Sequence, residues 1–322
     1  MSSKATAIAH PMQGLIKYHG LRDERLRLPF HDSISVATAP LKTTTTVEFG
    51  DFERSSVEID GKRVSGRPLE RVMAVMDRIR EMASIEDNFR IVSESDFESG
   101  IGLGASASGF AALATAACSA ARLEIDRRQL SAIARLGAGS ATRSVAGGFA
   151  RWEAGSSDSD SYAYSLAAPE ELQMGIVVAI VRKTKRTEDA HREVLSSPLY
   201  QGRLAYLHTA LAEMTWAIRS HNVSEIGRIA ERDTLVLHAI TMTGNNGMIL
   251  WKPETLKIIE ITREMRKEGL NSFFSIDTGA TVYINCPVDE IREVEERIRS
   301  AGIETVRCSV GGPSRLVDTH LF

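Results

Sequence analysis

Apolar and polar positions alternate through the early part of the chain. Residues 33–39 (S-I-S-V-A-T-A) alternate and residues 43–49 are rich in β-branched side chains, so both predict strands. Residues 57–64 predict a hairpin turning at Asp60-Gly61. The period then lengthens. Apolar side chains at Val72, Val75, Met76, Ile79 and Met82 predict an amphipathic helix over residues 69–82, and 89–92 predicts a short strand. Asp126 is the expected cap of a helix reaching about residue 136. Residues 174–181 form a continuous apolar run, expected as a buried strand. Beyond it the pattern turns helical over 200–220, 223–236 and 253–267. Strands follow at 273–276 and 281–285, then a helix over 289–301 and a last strand at 304–309. That order predicts an α+β fold, with a boundary between residues 1–183 and 184–322.

Two segments break the periodicity. Residues 99–109 read S-G-I-G-L-G-A-S-A-S-G and feed a run of Ala and Leu through residue 121. Glycines let backbone approach an anion, and the free N–H groups of a helix start would hold one, with the Ser106 and Ser108 hydroxyls beside them. Close packing of a small-residue helix explains the same composition. The loop lacks the G-K-[ST] of a Walker motif and is not the dinucleotide fingerprint. Residues 137–144, G-A-G-S-A-T-R-S, carry one cation, Arg143, suited to a carboxylate or phosphate or to a surface acid at a helix end.

Length and composition add bounds. The 322 residues are 43% hydrophobic and 25% charged, which excludes a disordered chain. Thirty-nine basic against 42 acidic residues leave a net charge of −3, so no nucleic-acid partner is expected. The apolar run of 174–181 is too short to span a bilayer. The N-terminal residues lack a basic-then-apolar signal, so the expectation is a cytoplasmic protein without membrane contact. Cys118, Cys286 and Cys308 are an odd number at no metal-type spacing, and no metal site is expected. Lys17-Tyr18-His19-Gly20-Leu21-Arg22-Asp23 groups polar side chains around a glycine, as a solvated turn also does. Asp277 ends an apolar run and precedes Gly279; it reads as a catalytic carboxylate or as the head of an Asx-turn.

Taken together, these segments resemble one family. Ile16 to Asp23, Leu28-Pro29 and Asp32 to Ser35 are similar to the N-terminal signature of the mevalonate diphosphate decarboxylases. Gly102 to Phe110 is similar to their phosphate loop, Gly139 to Ser144 and Gly147-Gly148-Phe149 follow at the family's spacing, and Asp277-Thr278-Gly279 falls where its aspartate lies. The resemblance implies the two-domain fold of the small-molecule kinase superfamily of galactose, homoserine, mevalonate and phosphomevalonate kinases, with the active site in the interdomain cleft. It also implies a homodimer and decarboxylation of a phosphorylated mevalonate in isoprenoid biosynthesis. Asp277, Lys17 and Arg143 are then catalytic, with Lys17 pairing Asp277 and Arg143 holding the substrate carboxylate. Tyr18, His19, Arg22, Ser140 and Lys185 bind substrate, and Gly102, Gly104, Ser106 and Ser108 form the phosphate loop.

Departures from the family pattern refine the expectation. Leu21 stands where the family has lysine, which implies a monophosphate at carbon 5. Ala138 stands where it has a serine; Ala105 stands where its phosphate loop usually has serine, and Glu98 brings negative charge toward the loop, and these last two changes count against ATP. The preferred expectation is therefore conversion of mevalonate 3,5-bisphosphate to isopentenyl phosphate, CO2 and phosphate with no cofactor. The alternatives are an ATP- and Mg2+-dependent phosphomevalonate decarboxylase, the ordinary diphosphate enzyme, and a mevalonate-type kinase without decarboxylation. A non-catalytic phospholigand sensor is the remotest.

Overall fold

A computed structural model describes residues 3–182 and 187–322. Its helices, among the described residues, are α1 (Arg67–Ala83), α2 (Ala105–Ala120), α3 (Arg127–Gly137), α4 (Ala141–Ala146), α5 (Thr187–Glu193), α6 (Tyr200–Arg219), α7 (Val223–Met242), α8 (Pro253–Lys267) and α9 (Ile291–Ser300). One sheet runs in the order Arg315–Val317, Ser3–Ala9, Thr43–Gly50, Asn88–Ser95, Ser56–Ile59, Lys62–Arg63. Its core is closed by α1, which buries Val72, Val75, Met76 and Ile79 as the 3.6-residue period requires, and by α2. Nearly every residue of α2 is small, so the helix lies close against strands Ser3–Ala9 and Thr43–Gly50 with ten of its residues buried. Asp126 caps α3 as expected: its carboxylate accepts the Gln129 N–H at 2.8 Å, and the Gln129 side chain accepts the Asp126 N–H in return.

The second sheet runs Ala163–Ala167, Phe149–Trp152, Ser33–Ala39, Thr305–Val310, Gly175–Ala179, Val282–Cys286, Phe273–Ser275, with Met12–Ile16 also pairing Ser33–Ala39. Its strands come from both sides of residue 183. Strand Gly175–Ala179 is buried along its whole length. Ile176 and Val178 face the core under α6 and α7, whereas Val177 and Ala179 face the core under α8 and α9. That is why this segment reads as an unbroken apolar run rather than an alternating one. α7 extends to Met242, beyond the expected residue 236, because Leu237, Ile240 and Thr241 continue its buried face. Among the described residues no helix is long and apolar enough to cross a membrane.

Candidate active site

A cavity of about 230 Å3 opens where four segments converge: the end of strand Met12–Ile16, the loop before α2, the turn before α4, and the turn after strand Phe273–Ser275. The loop before α2 forms one wall. Gly102 and Gly104 hold φ of +94° and +80°, a region disfavoured for other residues. A Cβ on Gly104 would also meet the Met12 carbonyl oxygen at 3.2 Å. No side chain caps α2, so the first N–H groups of this 16-residue helix are not spent on a cap, and Ala105 and Ser106 line the cavity. The loop is pinned from behind. Thr281 Oγ1 donates to the Ile101 carbonyl at 2.7 Å and the Tyr283 hydroxyl to that of Gly102 at 2.8 Å. Ser106 is exposed at the cavity; Ser108 is not among its lining residues, and its hydroxyl is engaged by Thr43 Oγ1 at 2.7 Å. Glu98 is turned to Arg182 at 3.1 Å, away from the lining residues.

Asp277 lines the cavity on the turn that packs against the loop before α2, Gly279 against Gly102. The Gly14 N–H donates to both its carboxylate oxygens, at 3.1 and 3.3 Å. A side chain at residue 14 would strike Asp277 Oδ1 and the Lys17 stem, at 3.0 and 2.8 Å from its Cβ, so the close approach depends on glycine. The expected direct pairing of Lys17 with Asp277 is replaced by another arrangement. Buried Lys17 donates from Nζ to Thr234 Oγ1 at 3.0 Å and Ser275 Oγ at 2.9 Å, and its nearest carboxylate is Asp233, at 3.9 Å. Asp233, fully buried on α7, also accepts the Lys17 N–H at 3.0 Å and pairs with Arg203 of α6 at 3.1 Å. Arg203 in turn donates to the Lys17 carbonyl at 2.8 Å. Burial lowers the Lys17 pKa, and the charges of Asp233 and then Asp277 oppose it. Asp277 therefore acts on Lys17 through space.

Arg143 projects from α4 and is 1% exposed, yet its Nε and Nη1 have no hydrogen-bond partner within the protein. The Tyr18 and Trp152 rings lie 5.2 and 5.7 Å from the guanidinium carbon, and burial lowers its pKa against the pull of Tyr18 and Asp277. A buried cation with open donors on a cavity wall is suited to a ligand carboxylate. Tyr18, packed edge-on against Trp152 at 4.8 Å, has its hydroxyl pKa raised by burial. Tyr18, His19 and Ser140 line the cavity.

Arg22 is not among the lining residues. Its guanidinium straps a loop by donating to the carbonyls of Pro29 at 3.1 Å, Ala154 at 3.2 Å, and Gly155. Lys185 lies outside the described residues. Instead, the cavity holds cations that sequence reasoning passed over: Arg27, anchored on the Leu136 carbonyl at 3.1 Å, and Arg71, anchored on that of Gly137 at 2.7 Å. Glu188 stands with them, and His191 also lines the cavity beside Tyr18, at 5.0 Å between rings. Arg71 shows no sequence signal beyond its place on the polar side of α1. Asp233 does show one: a carboxylate on the face of α7 that carries Ile226, Ile229, Ala230 and Leu237.

Residues 9–163 match the pattern of the diphosphomevalonate decarboxylase-like N-terminal domain. The chain is 44% identical to the phosphomevalonate decarboxylase of Haloferax volcanii over 317 residues, 98% of either chain. Its fold is similar to mevalonate diphosphate decarboxylase from Staphylococcus aureus, with a TM-score of 0.93 and 28% identity over 99% of each chain. It is also similar to MDDEF in complex with MVAPP, AMPPCP and magnesium, with a TM-score of 0.91 and 27% identity over 99% of this chain and 100% of the other.

Proposed function

The chain belongs to the diphosphomevalonate decarboxylase family, and from that membership we propose that it decarboxylates mevalonate 5-phosphate to isopentenyl phosphate with ATP as phosphoryl donor. The observation that carries the reading is the union, in one cavity, of an unpartnered buried guanidinium, a carboxylate held by a backbone N–H, and an uncapped helix start. The nucleotide phosphates fit the loop of Gly102, Gly104 and the N–H groups of Ala105 and Ser106, which is an anion cradle in its own right. Glu98 is one of the two sequence features set against ATP, and its carboxylate is engaged by Arg182 instead. ATP supplies the phosphoryl group that turns the 3-hydroxyl into a leaving group.

The chain's own residues do the rest. Arg143 grips the substrate carboxylate and fixes which bond can break. Asp277 accepts the proton of the 3-hydroxyl as that oxygen is phosphorylated. The C3–O bond then breaks with its electron pair leaving on phosphate. Carbon 3 becomes cationic, and the fixed charge of Asp277 stabilises it. The C1–C2 pair closes the C2=C3 double bond and CO2 departs. Lys17, braced by Asp233 and two hydroxyls, keeps a positive field behind Asp277. Arg71, Arg27, Tyr18 and Ser140 receive the 5-phosphate.

Ala105 favours a second reading, nucleotide-free turnover of mevalonate 3,5-bisphosphate, because it leaves the loop a hydroxyl short of the family pattern. Incubation of the protein with mevalonate 5-phosphate or the 3,5-bisphosphate, each with and without ATP and Mg2+, separates the two. The main reading expects CO2 from 5-phosphate, and only when ATP and Mg2+ are present. CO2 from the bisphosphate alone, with none from 5-phosphate plus ATP, overturns it in favour of the second.

A further inference from the structure

We propose that Glu188 is the residue that makes this site take a 5-monophosphate and refuse a 5-diphosphate; the inference rests on the phosphomevalonate reading and names the specificity of that same site. The phosphate end of the cavity is closed by a charged pair, Glu188 Oε1 to Arg27 Nη2 at 3.4 Å, and Arg67 braces the other Glu188 oxygen from outside. Arg27 and Glu188 line two spaces at once. On one side is the cavity with Arg71; on the other is a smaller recess lined by Leu21, Leu195, Glu24, Arg67 and Arg192. The pair is therefore the partition between them.

The partition has chemical consequences. Arg71 and Arg27 face the cavity with two positive charges, and Glu188 already offsets one of them. One phosphate monoester, at about −1.5 to −2 near pH 7, already uses up the single positive charge that is left. A second phosphate, continuing outward from the first, meets the Glu188 carboxylate and, behind it, the apolar side chain of Leu21. Like charges brought together at a site lose binding and act as selection against the wrong ligand. The recess also holds Arg67 and Arg192, but Arg67 is taken up by Glu188 and Arg192 pairs with Glu24 at 3.4 Å, and Leu21 adds no further cation to attract a second phosphate. Glu188 supplies the repulsion. Arg27 is also held to Glu188 and to the Leu136 carbonyl, so it does not swing into the recess to compensate without breaking both contacts.

The test is calorimetric titration, without nucleotide, of mevalonate 5-phosphate and mevalonate 5-diphosphate into the wild-type protein and into Glu188→Gln and Glu188→Arg, each checked for folding by its thermal transition. The wild type is expected to bind the monophosphate at least about tenfold more tightly, which corresponds to about 1.4 kcal/mol. Both substitutions are expected to move the ratio toward the diphosphate, Glu188→Arg by at least about tenfold and further than Glu188→Gln. A wild type that prefers the diphosphate, that binds neither ligand, or whose ratio is unchanged within about threefold in a folded variant overturns the proposal. Because the readout is binding, the ratio still decides on Glu188 if turnover assays reject the decarboxylase reading.

Discussion

Replacing Arg143 with Met keeps most of the side-chain volume and removes the charge. In the free protein this guanidinium is 1% exposed and two of its nitrogens have no partner within the protein. An uncompensated buried cation costs several kcal/mol. The Tyr18 and Trp152 rings at 5.2 and 5.7 Å return part of that, about 1–2 kcal/mol at each desolvated ring. Folding stability in Arg143→Met should therefore stay within about 1 kcal/mol of wild type or rise, whereas most buried substitutions lower it. Ligand binding should move the other way. Charge-assisted hydrogen bonds contribute about 1.5–3 kcal/mol each, so losing a bidentate grip removes at least about 3 kcal/mol, roughly two decades of affinity. Urea unfolding of both proteins with and without mevalonate 5-phosphate, plus a direct titration, measures the two effects together. A variant that loses more than about 2 kcal/mol of stability and still binds within about threefold of wild type would refute the assignment and make Arg143 a structural residue.

Asp277→Asn keeps the acceptance of the Gly14 N–H but not the charge, and kcat should fall at least about 100-fold with little change in ligand affinity, as steady-state kinetics and titration will show. Near-normal kcat would leave Asp277 as no more than the head of a turn. Burial holds the three cysteine thiols up at about 12, so almost no thiolate exists near pH 7.5. Iodoacetamide should leave activity intact in the folded protein, and rapid inactivation with labelling of Cys308 would contradict that burial.

Much of the site is legible along the chain because its parts lie in short, locally unusual segments. The glycine run before α2, the small-residue turn around Arg143 and the Asp277-Thr-Gly turn stand out, since each breaks a periodic pattern for a backbone reason. Strand Gly175–Ala179 is legible for the opposite reason: two helical layers cover it, so it needs no polar face. Residues that matter only through tertiary contact are silent. Arg27 and Glu188 are 161 positions apart, and neither breaks a local rule, yet they meet at the end of the cavity. Lys17 misled in the reverse sense. The family resemblance implies Asp277 as its partner, but Asp233, 216 residues along the chain, is the nearer carboxylate, because α7 packs against strand Met12–Ile16. Glu98 pointed toward the loop by sequence proximity alone, and Arg182 draws it elsewhere.

The central claim is that one site phosphorylates the 3-hydroxyl and expels CO2 in the same catalytic cycle. The direct measurement is a single-turnover reaction of the protein with mevalonate 5-phosphate labelled in the carboxyl carbon, ATP and Mg2+, counting labelled CO2 and ADP together. One CO2 for each ADP, with isopentenyl phosphate as the organic product, is the predicted result. ADP formed without CO2, while a bisphosphorylated mevalonate accumulates, would contradict it and leave the protein a kinase.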